Sequence, residues 1–108
     1  MSIQRTYIPV VSDLRFEWDP AKAAANLRKH GVSFEEAKTV FWDDFALFME
    51  DPGHSATEDR FLLLGLSSTP RILVVVHCYR EGVDTVRLIS ARKATAAERT
   101  RYTERWRE

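Results

Sequence analysis

A chain of 108 residues with 44% hydrophobic and 11% aromatic side chains has the size and apolar content of one folded domain, which excludes a disordered chain. Its 16 basic and 16 acidic residues cancel, which argues against a general nucleic-acid binder. The charge is unevenly spread, however: positions 40–59 hold six acids and no Lys or Arg, while positions 87–108 hold seven basic residues against three acids. A basic face is therefore compatible with zero net charge.

Residues 1–14 show no helical period. "TYIPVV" suits an edge strand, since Pro9 excludes a central one; a partly disordered leader is the other reading. This stretch is expected to be an extension of a single domain over residues 15–108. "RFEW" (15–18) reads as a short strand. "DPAKAAANLRKHG" then carries Asp19 as N-cap, Pro20 at the first helical position and Gly31 as a left-handed C-cap. The sequence thus predicts a helix from about Pro20 to His30, with cations in its last turn. "SFEEAKTVFW" predicts a second, with Ser33 and Glu36 as a capping box and Phe34, Ala37, Val40 and Phe41 as its buried stripe.

Four strands are expected next, in "FALFME", "RFLLLGLS", "RILVVVHCY" and "TVRLISA", joined by short turns and hence antiparallel. The third is so apolar that it should be central. It is also the longest apolar run, and too short to cross a bilayer. It contains the single cysteine, Cys78, expected to be a small buried hydrophobe rather than a reactive thiol. No signal peptide is recognisable, and a reducing cytoplasm is the expected location. Thr95 and Glu98 form another capping box, opening a last helix. The order β-α-α-β-β-β-β-α gives an α+β class: a small antiparallel sheet, a four-stranded meander plus the short N-terminal strand, with the two N-terminal helices and the C-terminal one packed on one face.

The chemistry rests on the cations. "RLISARKATAAER" places Arg87, Arg92 and Lys93 around one strand end with no carboxylate before Glu98. They need an anion, which could be a carboxylate of this chain, a partner protein or a phosphate. Arg60 and Arg71 open neighbouring strands. By strict alternation Arg87 shares its face with Ile89 and Ala91, and Arg92 falls opposite unless the alternation fails at the strand end. The structural reading is that each arginine pairs with a nearby acid such as Glu17, Glu58 or Asp84. His77 sits mid-sheet, where a half-buried histidine could titrate near neutrality, but a satisfied core residue is the favoured reading. Tyr102 could donate a proton, or simply pack. The three histidines fall in no metal-ligand spacing, no nucleophile elbow is present, and four dispersed glycines make no phosphate loop, so no metal and no cofactor are expected.

Taken together, "FEWDPAKAAANLRKHGVSFEEA", "RFLLLG", "RILVVVHCY" and "VRLISARKATAAERTRY" resemble the BrnT family of bacterial type II toxins, from residue 15 to about 102. The first 14 residues lie outside the resemblance. It implies a RelE-like fold and a ribonuclease that cleaves RNA and stops translation and growth. It also implies neutralisation by a BrnA-type ribbon-helix-helix antitoxin, expected as a 2:2 assembly that represses its own operon and reaches operator DNA only through the antitoxin. The family's recurrent polar positions fall on Lys22, Asn26, Lys29, His30, Glu58, Arg60, Arg87, Ser90, Arg92, Glu98 and Tyr102. For a metal-independent endoribonuclease, Arg60, Arg87 and Arg92 are expected to bind phosphate and the transition state. His77 or Glu58 is expected as base and His30 or Tyr102 as acid, while Lys22, Lys29, His30 and Lys93 extend the RNA- or antitoxin-binding surface. The alternative is a non-catalytic protein-binding subunit of a DNA-binding repressor complex.

Overall fold

The computed structural model describes residues 14–51, 60–80 and 84–104. The N-terminal stretch "TYIPVV", residues 52–54 of the turn "DPGH" and Glu58 lie outside the described residues. Along the chain run β1 (Arg15–Glu17), α1 (Pro20–His30), α2 (Phe34–Lys38), a 3₁₀ turn (Thr39–Trp42), β2 (Leu47–Glu50), β3 (Phe61–Leu66), β4 (Ile72–Arg80), β5 (Thr85–Lys93) and α3 (Ala96–Glu104).

The helix ends follow their capping chemistry. The Asp19 carboxylate accepts the Ala21 N–H at 2.8 Å, Pro20 starts α1, and Gly31 ends it in the left-handed region at φ 71°. At α2 the box is only half made. Ser33 Oγ accepts the Glu36 N–H at 3.0 Å, but the Glu36 carboxylate turns away to Arg71, which donates from Nε at 2.8 Å and Nη2 at 2.7 Å. Arg71 also donates to the Gly31 carbonyl at 2.8 Å. This guanidinium therefore ties the α1–α2 junction to the start of β4, and its hydrogen bonds hold Glu36 at a pKa of about 2. The box of α3 is complete, with Thr95 N–H to Glu98 at 2.8 Å and Glu98 N–H to Thr95 at 3.2 Å.

The sheet order is β1-β5-β4-β3-β2, so the apolar β4 is central. Neighbours β2, β3, β4 and β5 are antiparallel, but β1 lies parallel to β5, with Glu17 beside Arg87. The sheet is mixed, a correction to the wholly antiparallel one expected. Short connections identify partners only for consecutive strands, whereas β1 pairs with a strand that lies across the rest of the fold.

A second correction concerns the layers. Phe34, Ala37 and Val40 bury against Leu63, Leu73, Val75, Val86, Leu88 and Ala91, forming the main core on one face. Ala94 and Tyr102 bury instead against Leu64 and Val74, which alternate to the opposite face. Thus α1 and α2 cover one face and α3 the other. Full burial of side chains such as Phe34, Leu73 and Leu88 stabilises the fold by roughly 1.5–3 kcal/mol each.

Candidate functional site

The position of the arginines depends on one irregularity. Val76 pairs with Ser90 but His77 pairs with Leu88, so Ile89 is an extra residue bulged out of β5. Before the bulge, Val86 and Leu88 point into the main core; after it, Ala91 does. Arg87, Ser90 and Arg92 consequently lie opposite Cys78, Val76 and Val74, all on the α3 face. The expected grouping of Arg87 with Ala91 is corrected, because the bulge exchanges the two sets and brings Arg92 onto the face of Arg87. The register of β3 with β4 pairs Phe61 with His77. By alternation Arg60 extends the same row as Cys78 and Arg87. Arg60 and Arg87 then flank a small buried thiol, two strands or roughly 10 Å apart.

Asn26, buried at 7% exposure on α1, holds this part of β5. Its Nδ2 donates to the carbonyls of Val32 and Ala91 at 2.9 Å each, and its Oδ1 accepts the Ala91 N–H at 3.1 Å. The side chain satisfies the outward backbone groups of β5 where β1 no longer reaches, next to Arg92.

Carboxylates of this chain answer part of the anion question. Glu17 accepts from Arg87 at 3.2 Å and lies 3.7 Å from Arg80. Glu98 receives both Nη atoms of Arg92, at 2.8 and 3.0 Å, and this fork holds Glu98 at a pKa of about 2. Among the described residues this face carries Arg60, Arg80, Arg87 and Arg92, with Glu17 between Arg80 and Arg87 and Glu98 on Arg92. Arg87 and Arg92 keep about a third of their side-chain surface exposed, at 32% and 38%.

The other expected site residues separate from this group. His77 is a fully buried core residue, as favoured, on the main-core face, within rings of Phe41 at 4.9 Å, Tyr79 at 5.3 Å, Phe48 at 6.0 Å and Phe61 at 6.1 Å. Its Nδ1 lies 3.3 Å from the Val75 carbonyl, and Nε2 is buried with no hydrogen-bond partner. Burial pushes the imidazole down to about 4. Tyr102 is on the α3 face, but its phenol donates to Asp43 at 2.6 Å, and the same carboxylate oxygen accepts the Leu66 N–H at 2.8 Å. This tethers α3 to the end of β3 and occupies the proton that an acid would give. Lys22 and Lys29 are exposed and His30 half-buried on α1, which packs on the opposite layer. Lys93 is exposed and, opposite Leu73, alternates to the main-core side. Glu17, one of the acids expected to pair with an arginine, is the partner of Arg87; sequence reading missed Glu98 as the partner of Arg92 and Asn26 as the brace of β5. The only signal for Asn26 was its place among the recurrent polar positions of the resemblance.

Residues 18–98 match the family described as ribonuclease toxin, BrnT, of type II toxin–antitoxin system. The crystal structure of the Brucella abortus ribonuclease toxin BrnT is similar with a TM-score of 0.58 at 25% identity, covering 76% of this chain and 97% of that one. No curated protein matches the chain.

Proposed function

This chain belongs to the BrnT family of ribonuclease toxins of type II toxin–antitoxin systems, and on that premise we propose that it cleaves RNA on the α3 face of its sheet without a metal ion. The observation that carries the assignment is the β5 bulge, which gathers Arg87 and Arg92 on one face in line with Arg60. A guanidinium stays charged at any working pH and matches phosphate oxygens with a planar fork. Such donors, fixed in advance, stabilise the charge that grows on a pentacoordinate phosphorane when a ribose 2′-OH attacks. Phosphate entering the face competes with Glu17 and Glu98 for the same donors. The two carboxylates hold the guanidinium groups in place until RNA arrives.

Arg60, Arg87 and Arg92 are assigned to phosphate and transition-state binding. Glu58, two residues before Arg60 in sequence, is kept as the candidate base for the 2′ proton. As the P–O2′ bond forms the P–O5′ bond breaks, and the 5′-oxygen takes its proton from solvent, because His30, the other expected acid, lies on the α1 layer. His77 and Tyr102 are not assigned proton transfer, because one is sealed in the core and the other is committed to Asp43. Lys22, Lys29, His30 and Lys93 are proposed to contact RNA or antitoxin outside the reacting centre. The partner is proposed to be a BrnA-like ribbon-helix-helix antitoxin in a 2:2 assembly that represses its own operon, with operator DNA contacted through the antitoxin. The mode of action is proposed to be RelE-like, in the cytoplasm. No described helix is long and apolar enough to cross a membrane.

The test is cleavage of RNA by purified protein in EDTA. Retained cleavage supports the metal-free scheme; activity lost in chelator and restored by Mg²⁺ sinks it. One observation favours the rival reading of a non-catalytic binding subunit: Arg87 and Arg92 already have carboxylate partners. Induced expression without antitoxin separates the two, since growth arrest requires the toxin and a harmless product favours the binding subunit.

A further inference from the structure

The main-core face is not fully roofed by α1 and α2. Beyond them a run of touching rings crosses the sheet around His77: Phe48 stacks on Phe61 at 5.0 Å, and Phe16 meets Phe41 at 5.2 Å and Trp42 at 6.2 Å. The run ends in two side chains that remain open to solvent, Phe48 at 52% and Trp42 at 46% exposure. At β2 the buried rings continue to the surface through Phe48, and an apolar surface continuous with the core marks a contact site. Phe48 belongs to β2, the last strand of the sheet order, and among the described residues β2 pairs only with β3. Its outer edge is thus a template for one more strand. At the β2 end of the run the exposed charges are the carboxylates of Asp44 and Glu50, while the cation over the rings, Lys38, sits at the far end, 6.0 Å from the Phe16 ring.

From this combination we infer that β2 and the rings beside it dock an extended apolar segment flanked by Lys or Arg, supplied by the antitoxin. Edge pairing selects an extended backbone, the rings select aliphatic or aromatic side chains, and the carboxylate rim selects cations. The same rings could stack nucleic-acid bases, but Asp44 and Glu50 beside Phe48 repel phosphate at this edge. The surface lies on the face opposite Arg87 and Arg92, so an antitoxin anchored here reaches the arginines only by passing round the sheet edge.

The inference rests on the toxin–antitoxin reading, and the experiment separates the two. Purified toxin is titrated with its cognate antitoxin, and hydrogen exchange of the Phe48 and Glu50 amides, which alternate away from β3, is compared with and without it. Slowed exchange in the complex is expected. Phe48→Ser is expected to weaken binding by about tenfold or more. Exposed Glu50→Lys, which leaves the packing alone, is expected to weaken it severalfold, with a loss that shrinks as salt rises. Tight binding with unchanged exchange, or with both variants binding as wild type, overturns the inference and leaves the toxin–antitoxin reading standing. Slow exchange of these amides already in free toxin, or protection of them by a single-stranded RNA oligomer, also overturns it. Failure of the antitoxin to bind wild-type toxin overturns both.

Discussion

Replacing His77 by Phe should remove a defined part of the protein's acid sensitivity. The imidazole is held at about 4 by burial, against about 6.5 in an unfolded chain. Between those values the unfolded chain takes up a proton that the folded one refuses, so stability falls as pH drops through this window. At about 1.4 kcal/mol per pH unit the full loss is roughly 3 kcal/mol, a large fraction of the stability of a small domain. Below pH 4 the folded form also protonates and this loss ends. Phe removes the buried, unbonded Nε2 but is larger than imidazole in a filled site. At pH 7 the gain therefore offsets an overpacking cost of about 1–3 kcal/mol, and the pH dependence rather than the pH 7 stability carries the test. Urea melts at pH 7.0, 5.5 and 4.5 provide the assay. Wild type should weaken progressively, while the variant should change little until the carboxylates begin to titrate. RNA cleavage by the variant at pH 7 should stay within about twofold of wild type, because the residue lies outside the proposed site. Equal losses of stability in both proteins, or an inactive but folded variant, would refute this account of His77.

Other perturbations follow from the same geometry. Asn26→Leu strands three buried backbone groups of Val32 and Ala91 and should cost about 3 kcal/mol or more in urea melts; a loss under 1 kcal/mol would show that β5 needs no brace. A Cβ on Gly65 would meet the Cβ of Ala46 and Cγ1 of Val40 at 2.9 Å and Asp43 Oδ2 at 3.0 Å. Gly65→Ala should therefore cost about 1–3 kcal/mol by overpacking, and hydrogen exchange should speed up in α3 as the Asp43–Tyr102 tether shifts. Below pH 4.5, Glu36 and Glu98 add a second acid loss. Both are held at about 2 by their arginines, so their stabilisation is present above 4.5 and disappears as pH falls toward 2. Glu98→Gln should thus make the melts less acid-sensitive in that lower window only, by about 1 kcal/mol for so exposed a pair.

Local chemistry was legible in the sequence where one residue type is dictated by one backbone need. Asp19, Pro20 and Gly31 mark both ends of α1, and the apolar density of "RILVVVHCY" identifies the central strand. What was not legible depended on contacts distant in sequence. The parallel pairing of β1 with β5 has no short connection to announce it. The Ile89 bulge leaves no Gly or Pro signature, yet it decides the face of every residue after it in β5, Arg92 among them. His77 reads as a polar residue in an apolar strand, and only the four rings packed round it from neighbouring elements show that it is sealed. Tyr102 lies on an otherwise solvent-exposed helix, and its burial follows from Leu64 and Val74, on a face that the sequence order alone left uncovered.

The central claim is that the arginines gathered by the bulge, and not the α1 cations, carry RNA cleavage. Initial rates of RNA cleavage in EDTA test it most directly, for wild type, Arg87→Gln, Arg92→Gln, the double variant and a Lys22→Gln/Lys29→Gln control, each shown by melting to be folded. Removing a donor aimed at the transition state costs on the order of 10²–10³ in rate. Each arginine variant should fall by at least about that lower figure, while the lysine control keeps most of its rate and loses mainly affinity at raised salt. Folded Arg87→Gln and Arg92→Gln proteins that cleave at the wild-type rate would contradict the claim.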